Sequence, residues 1–189
     1  LPARTQLHTL AKHNSKTLSG LLNVMLKESD NSIADAIYRK LGSSFFHKAS
    51  TWKNSTKAIA DILGPTAEIN FNKMKIVDGS GLSRYNLVSP AQLVKLLSYA
   101  YNNKSINQPF VNALATPGNI GTLETRMPDL KNRVRAKTGR MTGIVSLAGY
   151  IKTTDHGEVA FAIATNSFLG DHQKHQKLHD EICTALAGI

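Results

Sequence analysis

A chain of 189 residues with 41% hydrophobic content is long enough to bury a core of its own, which excludes disorder as the default. No run of about 18 apolar residues occurs, so no transmembrane helix is expected, and the single cysteine, Cys183, excludes an internal disulfide framework and a Cys-based zinc site. The formal charge of +10 invites a nucleic-acid partner, but Lys and Arg are spread along the chain, few aromatics interleave with them, and no zinc-finger, RNP or helix-turn-helix signature is present, so none is expected.

The chain opens on Leu1 rather than Met and carries no signal-peptide pattern, which reads as a mature chain or a fragment. From Lys16 to Leu26, Leu18, Leu21, Leu22, Met25 and Leu26 recur at helical spacing. A polar interruption, KESDNS, precedes a second helix with Ile33, Ala36, Ile37 and Leu41 on one stripe. Asn31 or Ser32 is its expected cap, Asp35 its first-turn acid and Gly42 its stop. The SDN triplet then sits on the bend between two helices, where short polar side chains can point into a cleft.

A third helix is expected over NSTKAIADILG, capped by Asn54 or Ser55 and ending at Gly64. MKIVDGSGLSRYNLVSP starts as a strand and turns at Gly79 and Gly81, and Ser89-Pro90 suits the cap and first position of the helix PAQLVKLLSYAYNN. NQPFVNALAT reads as a short helix and GNIGTLETRMPDLKN as loop. RVRAKTG, IVSLAGYIKT and EVAFAIATNS are rich in β-branched residues and separated by turn signals at GRMTG and TDHGE, so they read as an antiparallel meander. A closing helix follows, with Leu178, Ile182 and Leu186 on its apolar face. Helices, a meander and a final helix give an α+β fold in which helices cover one antiparallel sheet.

The chemistry concentrates in two triplets. Ser29-Asp30-Asn31 falls on the helix-helix bend and Lys137-Thr138-Gly139 on the first strand. Either alone is a weak signal. Together, in that order and context, they match two of the three signatures of penicillin-recognising serine enzymes. The stretches LLNVMLKESDNSIADAIYRKLG, VDGSGLSRYNLVSPAQLVKLL, GTLETRM and RAKTGRMTGIVSLAGYI resemble the class C low-molecular-mass penicillin-binding proteins, D-alanyl-D-alanine carboxypeptidase/endopeptidases of the penicillin-binding protein 4 type, over about residues 15–165. DGSGLSR is the most family-specific piece and favours this group over β-lactamases. The resemblance implies a serine β-lactamase/transpeptidase-like fold, a periplasmic location, substrates that are peptidoglycan stem peptides ending in D-Ala-D-Ala, acylation by β-lactam antibiotics, and no metal or organic cofactor.

The third signature, the nucleophile and its lysine in S-x-x-K, does not occur before the SDN bend. Ser50-Thr51-Trp52-Lys53 fits the pattern but follows the bend, and is read as coincidence. Residues 1–189 are therefore expected to be the C-terminal portion of a penicillin-binding (DD-peptidase) domain, catalytically incomplete by themselves. A noncatalytic wall-interaction module on the same fold is the alternative.

In the assembled site that the resemblance implies, Ser29 relays a proton toward the leaving D-alanine nitrogen, which a hydroxyl can do because it both donates and accepts. Asn31 holds the substrate backbone and the nucleophile's lysine, and Asp30 is structural. Lys137 supplies positive charge beside Ser29, Thr138 donates to the terminal carboxylate, and Gly139 lets an extended peptide lie on the strand edge. The Arg140 amide is one oxyanion donor, Thr142 contacts the substrate tail, and Arg84 is the one substrate contact expected from the DGSGLSR turn. Plainer readings compete: Ser29 and Asn31 as helix caps, Lys137 as an edge-strand cation, and His172, His175 and His179 as an exposed helix face, preferred over a metal site.

Overall fold

The computed structural model describes residues 8–189. Helix α1 (Leu18–Lys27) begins where the Thr17 hydroxyl accepts from the Gly20 amide. Helix α2 (Asn31–Phe46) begins one residue earlier than its expected caps, because Asp30 accepts from the Ile33 amide at 2.8 Å and a carboxylate is favoured at that end of the helix dipole. Asn31 is thus the first helical residue, and Asp35 lies beyond the first turn. The helix also runs through Gly42 and stops only where His47 turns left-handed. Gly42 is buried against α3 (Trp52–Thr66), and a Cβ there would run into Ser55; its missing side chain serves close helix packing rather than termination. Helix α3 is capped by Thr51 and continues past Gly64 and Pro65.

Residues 74–88 form no strand. A 3-10 turn (Phe71–Lys73) leads to a lone bridge between Lys75 and Leu87. Helix α4 (Pro90–Asn102) carries the expected Ser89 cap, completed by Gln92 reaching back to the Ser89 amide at 2.9 Å. A short α5 (Asn107–Ala113) follows.

The three expected strands are present as an antiparallel sheet in sequence order: β1 (Val134–Met141), β2 (Ile144–Lys152) and β3 (Glu158–Asn166). Strand β1 extends through Gly139-Arg140-Met141, so the turn is only Thr142-Gly143. The sheet is sandwiched. On one face Val134, Ala136, Leu147, Ile151 and Phe161 pack with Leu123 and Leu130 against Cys183 and Ala187 of α6 (His172–Ala187). On the other, Tyr150 and Ala148 meet Leu97, Val111 and Leu114 from α4, α5 and the segment after it, and the buried Tyr150 hydroxyl donates to the Leu97 carbonyl at 2.7 Å. Each fully buried aliphatic side chain contributes about 1.5–3 kcal/mol, so truncating Leu147 at the sheet centre costs about 2–5 kcal/mol.

The apolar stripe of α6 is shifted from the one expected: Leu186 packs against the core and Ile182 is half-buried, but the centre of the buried face lies elsewhere. His179, Cys183 and Ala187 are buried, while Leu178 is 47% exposed. The i, i+4, i+8 spacing of the buried trio fixes the helix rotation. His179 is accordingly no surface residue. Its Nε2 shares a 2.9 Å hydrogen bond with the Thr165 hydroxyl, and burial together with the nearby Arg126 guanidinium lowers its pKa. His175 stacks on Phe168 with ring centroids 3.9 Å apart. Among the described residues no group of three or more His, Cys, Asp or Glu side chains is placed to hold a metal ion, and no helix is long and apolar enough to cross a membrane.

Candidate active site

The α1–α2 bend is pinned from several sides. Ser29 adopts φ +63°, a left-handed conformation that is uncommon for a residue with a side chain and signals strain at a site. Asp30 caps the helix that follows, and the Thr122 amide donates to the Lys27 carbonyl at 3.0 Å from the GTLETRM segment. The Thr122 hydroxyl, buried there, has no partner among the described residues. The result aims the Ser29 hydroxyl at the sheet.

Lys137 comes to meet it. Alternation along β1 sends Val134 and Ala136 toward α6, and Arg135 and Lys137 toward the other helices. The Lys137 Nζ donates to the Ser29 Oγ at 2.7 Å and to the Thr138 carbonyl at 2.7 Å. An ammonium only donates, so the Ser29 oxygen is the acceptor and its own proton is left free for a third atom. Burial lowers the Lys137 pKa from 10.5 to about 8, because an ammonium taken out of water loses hydration that two neutral acceptors replace incompletely.

The edge of β1 explains the rest. Ala115 and Ala136 exchange both backbone hydrogen bonds, at 3.2 and 2.9 Å, which closes the edge upstream of the KTG triplet. Since backbone groups alternate sides along a strand, Ala136, Thr138 and Arg140 all turn their N–H and C=O away from β2. The Arg140 amide therefore points off the open edge of β1. Gly139 lies opposite Ser146, whose hydroxyl occupies the space a Cβ would take, so a side chain there would make that hydroxyl turn away.

The other expected site residues are distributed around this pair. Asn31 opens α2 at the surface. Thr142 is exposed in the β1–β2 turn, and its carbonyl accepts from the Arg84 Nη2 at 2.9 Å. Arg84 thus straps the DGSGLSR loop to the KTG hairpin. The Arg140 side chain, directed toward α6, bonds His172 at 2.9 Å. A guanidinium cannot accept, so His172 Nε2 does. Arg133, in the turn just before β1, donates to the carbonyls of Lys152 and Ala187, which separates it from Lys137.

Ser50-Thr51-Trp52-Lys53 does not join the site. Its serine bonds the Ser55 hydroxyl at 2.9 Å, and its lysine is at the surface. Sequence reasoning took Asp35 only for a first-turn acid; it accepts from the amides of Gly79 and Ser80, both at 2.9 Å, and so ties the DGSG loop to α2. Asp78 organises the same loop by accepting from Gly81, Ser83 and Asn86. An Asp before a Gly-rich turn was a visible signal for the second; the first bridges 44 positions and left none.

The model of the D-Ala-D-Ala carboxypeptidase 3 (S13) family matches residues 2–187. The chain belongs to this family. It is 35% identical over 173 residues to the D-alanyl-D-alanine carboxypeptidase DacB of Haemophilus influenzae, covering 89% of this chain and 36% of that one. It is 33% identical to a D-alanyl-D-alanine carboxypeptidase of an Actinomadura species, over 85% of this chain and 30% of that protein. The solved structure of penicillin binding protein 4 from Haemophilus influenzae, complexed with a β-lactam, superposes with a TM-score of 0.86 at 31% identity, covering 100% of this chain and 46% of that one. The TLA-1 β-lactamase shares the fold, with a TM-score of 0.66 at 18% identity over 90% of this chain and 63% of that one. The S13 chain described here thus has the expected α+β, β-lactamase-like architecture of the penicillin-binding protein 4 type, and spans about a third of the length of the curated relatives it matches.

Proposed function

We propose that this chain carries the proton-relay and substrate-holding walls of a serine D-Ala-D-Ala carboxypeptidase and DD-endopeptidase, which cleaves peptidoglycan stem peptides through an acyl-enzyme, is acylated by β-lactams and works in the periplasm. The single observation that carries this reading is the 2.7 Å bond from Lys137 to Ser29. Lys137 holds the Ser29 oxygen while Ser29 passes its proton to the departing D-alanine nitrogen and takes in exchange the proton that the serine nucleophile gives up through its lysine, so that Ser29 ends the step neutral. The Thr138 hydroxyl takes the terminal carboxylate, the third Lys137 N–H adds positive charge, and Asn31 holds the peptide. The Arg140 amide receives the oxyanion.

Such chemistry needs a serine nucleophile, and the one S-x-x-K of the 189 residues lies elsewhere. In this reading residues 1–189 are the C-terminal portion of a penicillin-binding (DD-peptidase) domain, and the acylated serine is contributed by sequence outside them. Mass spectrometry after exposure to a fluorescent penicillin tests it. The 189-residue chain should stay unlabelled, and a polypeptide extended to include an S-x-x-K ahead of the SDN bend should carry one adduct on that serine. An adduct on Ser50, or none on the extended polypeptide, contradicts the reading.

A further inference from the structure

At the end of the sheet away from the β1–β2 turn lies a second polar pocket of about 410 Å³. It is unconnected with the roles assigned to Ser29 and Asn31. Three charged side chains reach it from three strands: Arg135 of β1, Lys152 of β2 and Glu158 of β3. Arg135 sits opposite Tyr150, Lys152 is two residues beyond Tyr150, and Lys152 sits opposite Glu158. Alternation therefore sends all three to the same face as Tyr150. The ion pairs among the described residues lie elsewhere, at Lys57–Asp61, Arg126–Asp180 and His172–Asp171, so these charges are not spent on one another.

The walls are equally polar. Asn107, Gln108 and Asn112 of α5 line the rim, where the Asn107 side-chain amide donates to the Tyr101 carbonyl and that of Gln108 to Asn112, and Asn132 lines it at φ +68°, a left-handed conformation that asparagine adopts more readily than most residues. Glu158 also stands beside the Tyr101 hydroxyl and raises its pKa. Two cations and one carboxylate around a small space lined with amides suit neither an apolar ligand nor a metal ion, which would need more anionic ligands. A bare anion would face Glu158, and a bare cation would face Arg135 and Lys152.

We propose that this pocket binds a small zwitterionic α-amino acid, its carboxylate on the Arg135 guanidinium with Lys152 beside it, and its ammonium on Glu158. A guanidinium matches a carboxylate with two parallel N–H donors, and the volume accommodates one such residue with several waters at about 30 Å³ each. Arg135 is two residues from Lys137 on the same face of the same strand, so an occupied pocket steadies β1 directly behind the KTG triplet. The inference stands on this pocket alone and does not depend on the peptidase reading.

The test is an NMR titration of the isotope-labelled 189-residue chain with D-alanine, L-alanine, propionate and ethylamine. Either alanine should give saturable shifts at the amides of Asn112, Asn132, Arg135 and Gly157 with a Kd of about 1 mM. Propionate and ethylamine, each lacking one charge, should bind about tenfold more weakly or worse. Arg135→Gln should weaken alanine binding about tenfold, and Glu158→Gln, at an exposed position, should erase the preference for alanine over propionate. The proposal is overturned by an absence of saturable shifts, by propionate binding as well as alanine, or by a folded Glu158→Gln chain that keeps the full preference.

Discussion

Lys137 and Ser29, 108 positions apart in sequence, meet at 2.7 Å with the ammonium as donor. The direction of that bond fixes what each group can do. Ser29 is left with a proton to give and Lys137 with one N–H toward the cleft. The strained φ of Ser29 and the closure of the β1 edge by Ala115 both serve this juxtaposition.

Burial of Lys137 makes its charge a cost to the fold. Its folded pKa of about 8 lies below the 10.5 of the free side chain, so between those values the unfolded chain binds more protons and stability rises with pH. Lys137→Met removes that cost along with two hydrogen bonds. Its thermal midpoint at pH 7 should equal or exceed that of the parent chain, and the rise in stability between pH 8 and 10.5 should shrink. A midpoint several degrees lower would show that the hydrogen bonds outweigh the desolvation.

Ligand binding should run the other way. If, as proposed, the Lys137 ammonium attracts the terminal carboxylate, affinity for an acetylated D-Ala-D-Ala peptide should be full below pH 7 and fall as pH rises through about 8. Calorimetric titration across that range checks it, and Lys137→Met should flatten the profile.

Asp35 supports the cleft from outside it. Two amide bonds of 2.9 Å from the DGSG loop end on its carboxylate, and a hydrogen bond to a charged group contributes about 1.5–3 kcal/mol. Asp35→Ala should lower unfolding stability by about 2–4 kcal/mol and increase hydrogen exchange at Gly79 and Ser80. Denaturant unfolding and exchange mass spectrometry read the two effects separately.

Gly139 and Ser146 should be coupled. Gly139→Ala places a methyl on the Ser146 hydroxyl and should destabilise by about 1–3 kcal/mol. Adding Ser146→Ala should recover much of the loss, giving a coupling of about 1 kcal/mol or more in a double-mutant cycle. Additive effects would mean that the strand, and not the hydroxyl, excludes a side chain there.

His179 makes the fold acid-sensitive. Its pKa is lowered from 6.5 by burial and by Arg126, so from its folded value up to 6.5 the unfolded chain binds more protons and stability falls as pH falls. His179→Gln, which keeps an acceptor for Thr165, should be less stable at neutral pH yet lose less on acidification from pH 6.5. Melting curves between pH 4.5 and 7.5 decide it.

Much of this was readable in the residues, where the governing forces are local. Ser89 and Pro90 announce α4, β-branched runs announce the meander, and the S-D-N and K-T-G triplets announce the pair that meets. What was not readable depended on partners distant in sequence. Gly42 looks like a helix stop until Ser55 is seen filling its empty side. The stretch from Lys75 to Val77 has strand composition, but it bridges only Leu87, and the Val77 amide goes to the side chain of Asn86. The α6 stripe through Leu178 was chosen by hydrophobicity, whereas the helix buries His179 because Thr165 satisfies its ring. The bond from Arg84 to the Thr142 carbonyl spans 58 positions and left no local signal.

The most direct measurement is the second-order rate of β-lactam acylation of an extended polypeptide bearing an S-x-x-K serine, compared with its Ser29→Ala and Lys137→Met variants. A relay through the Ser29–Lys137 pair predicts that each variant folds and is acylated about 10²–10⁴-fold more slowly, and that the double variant is little worse than either single one. Acylation of Ser29→Ala at the parent rate would contradict the account.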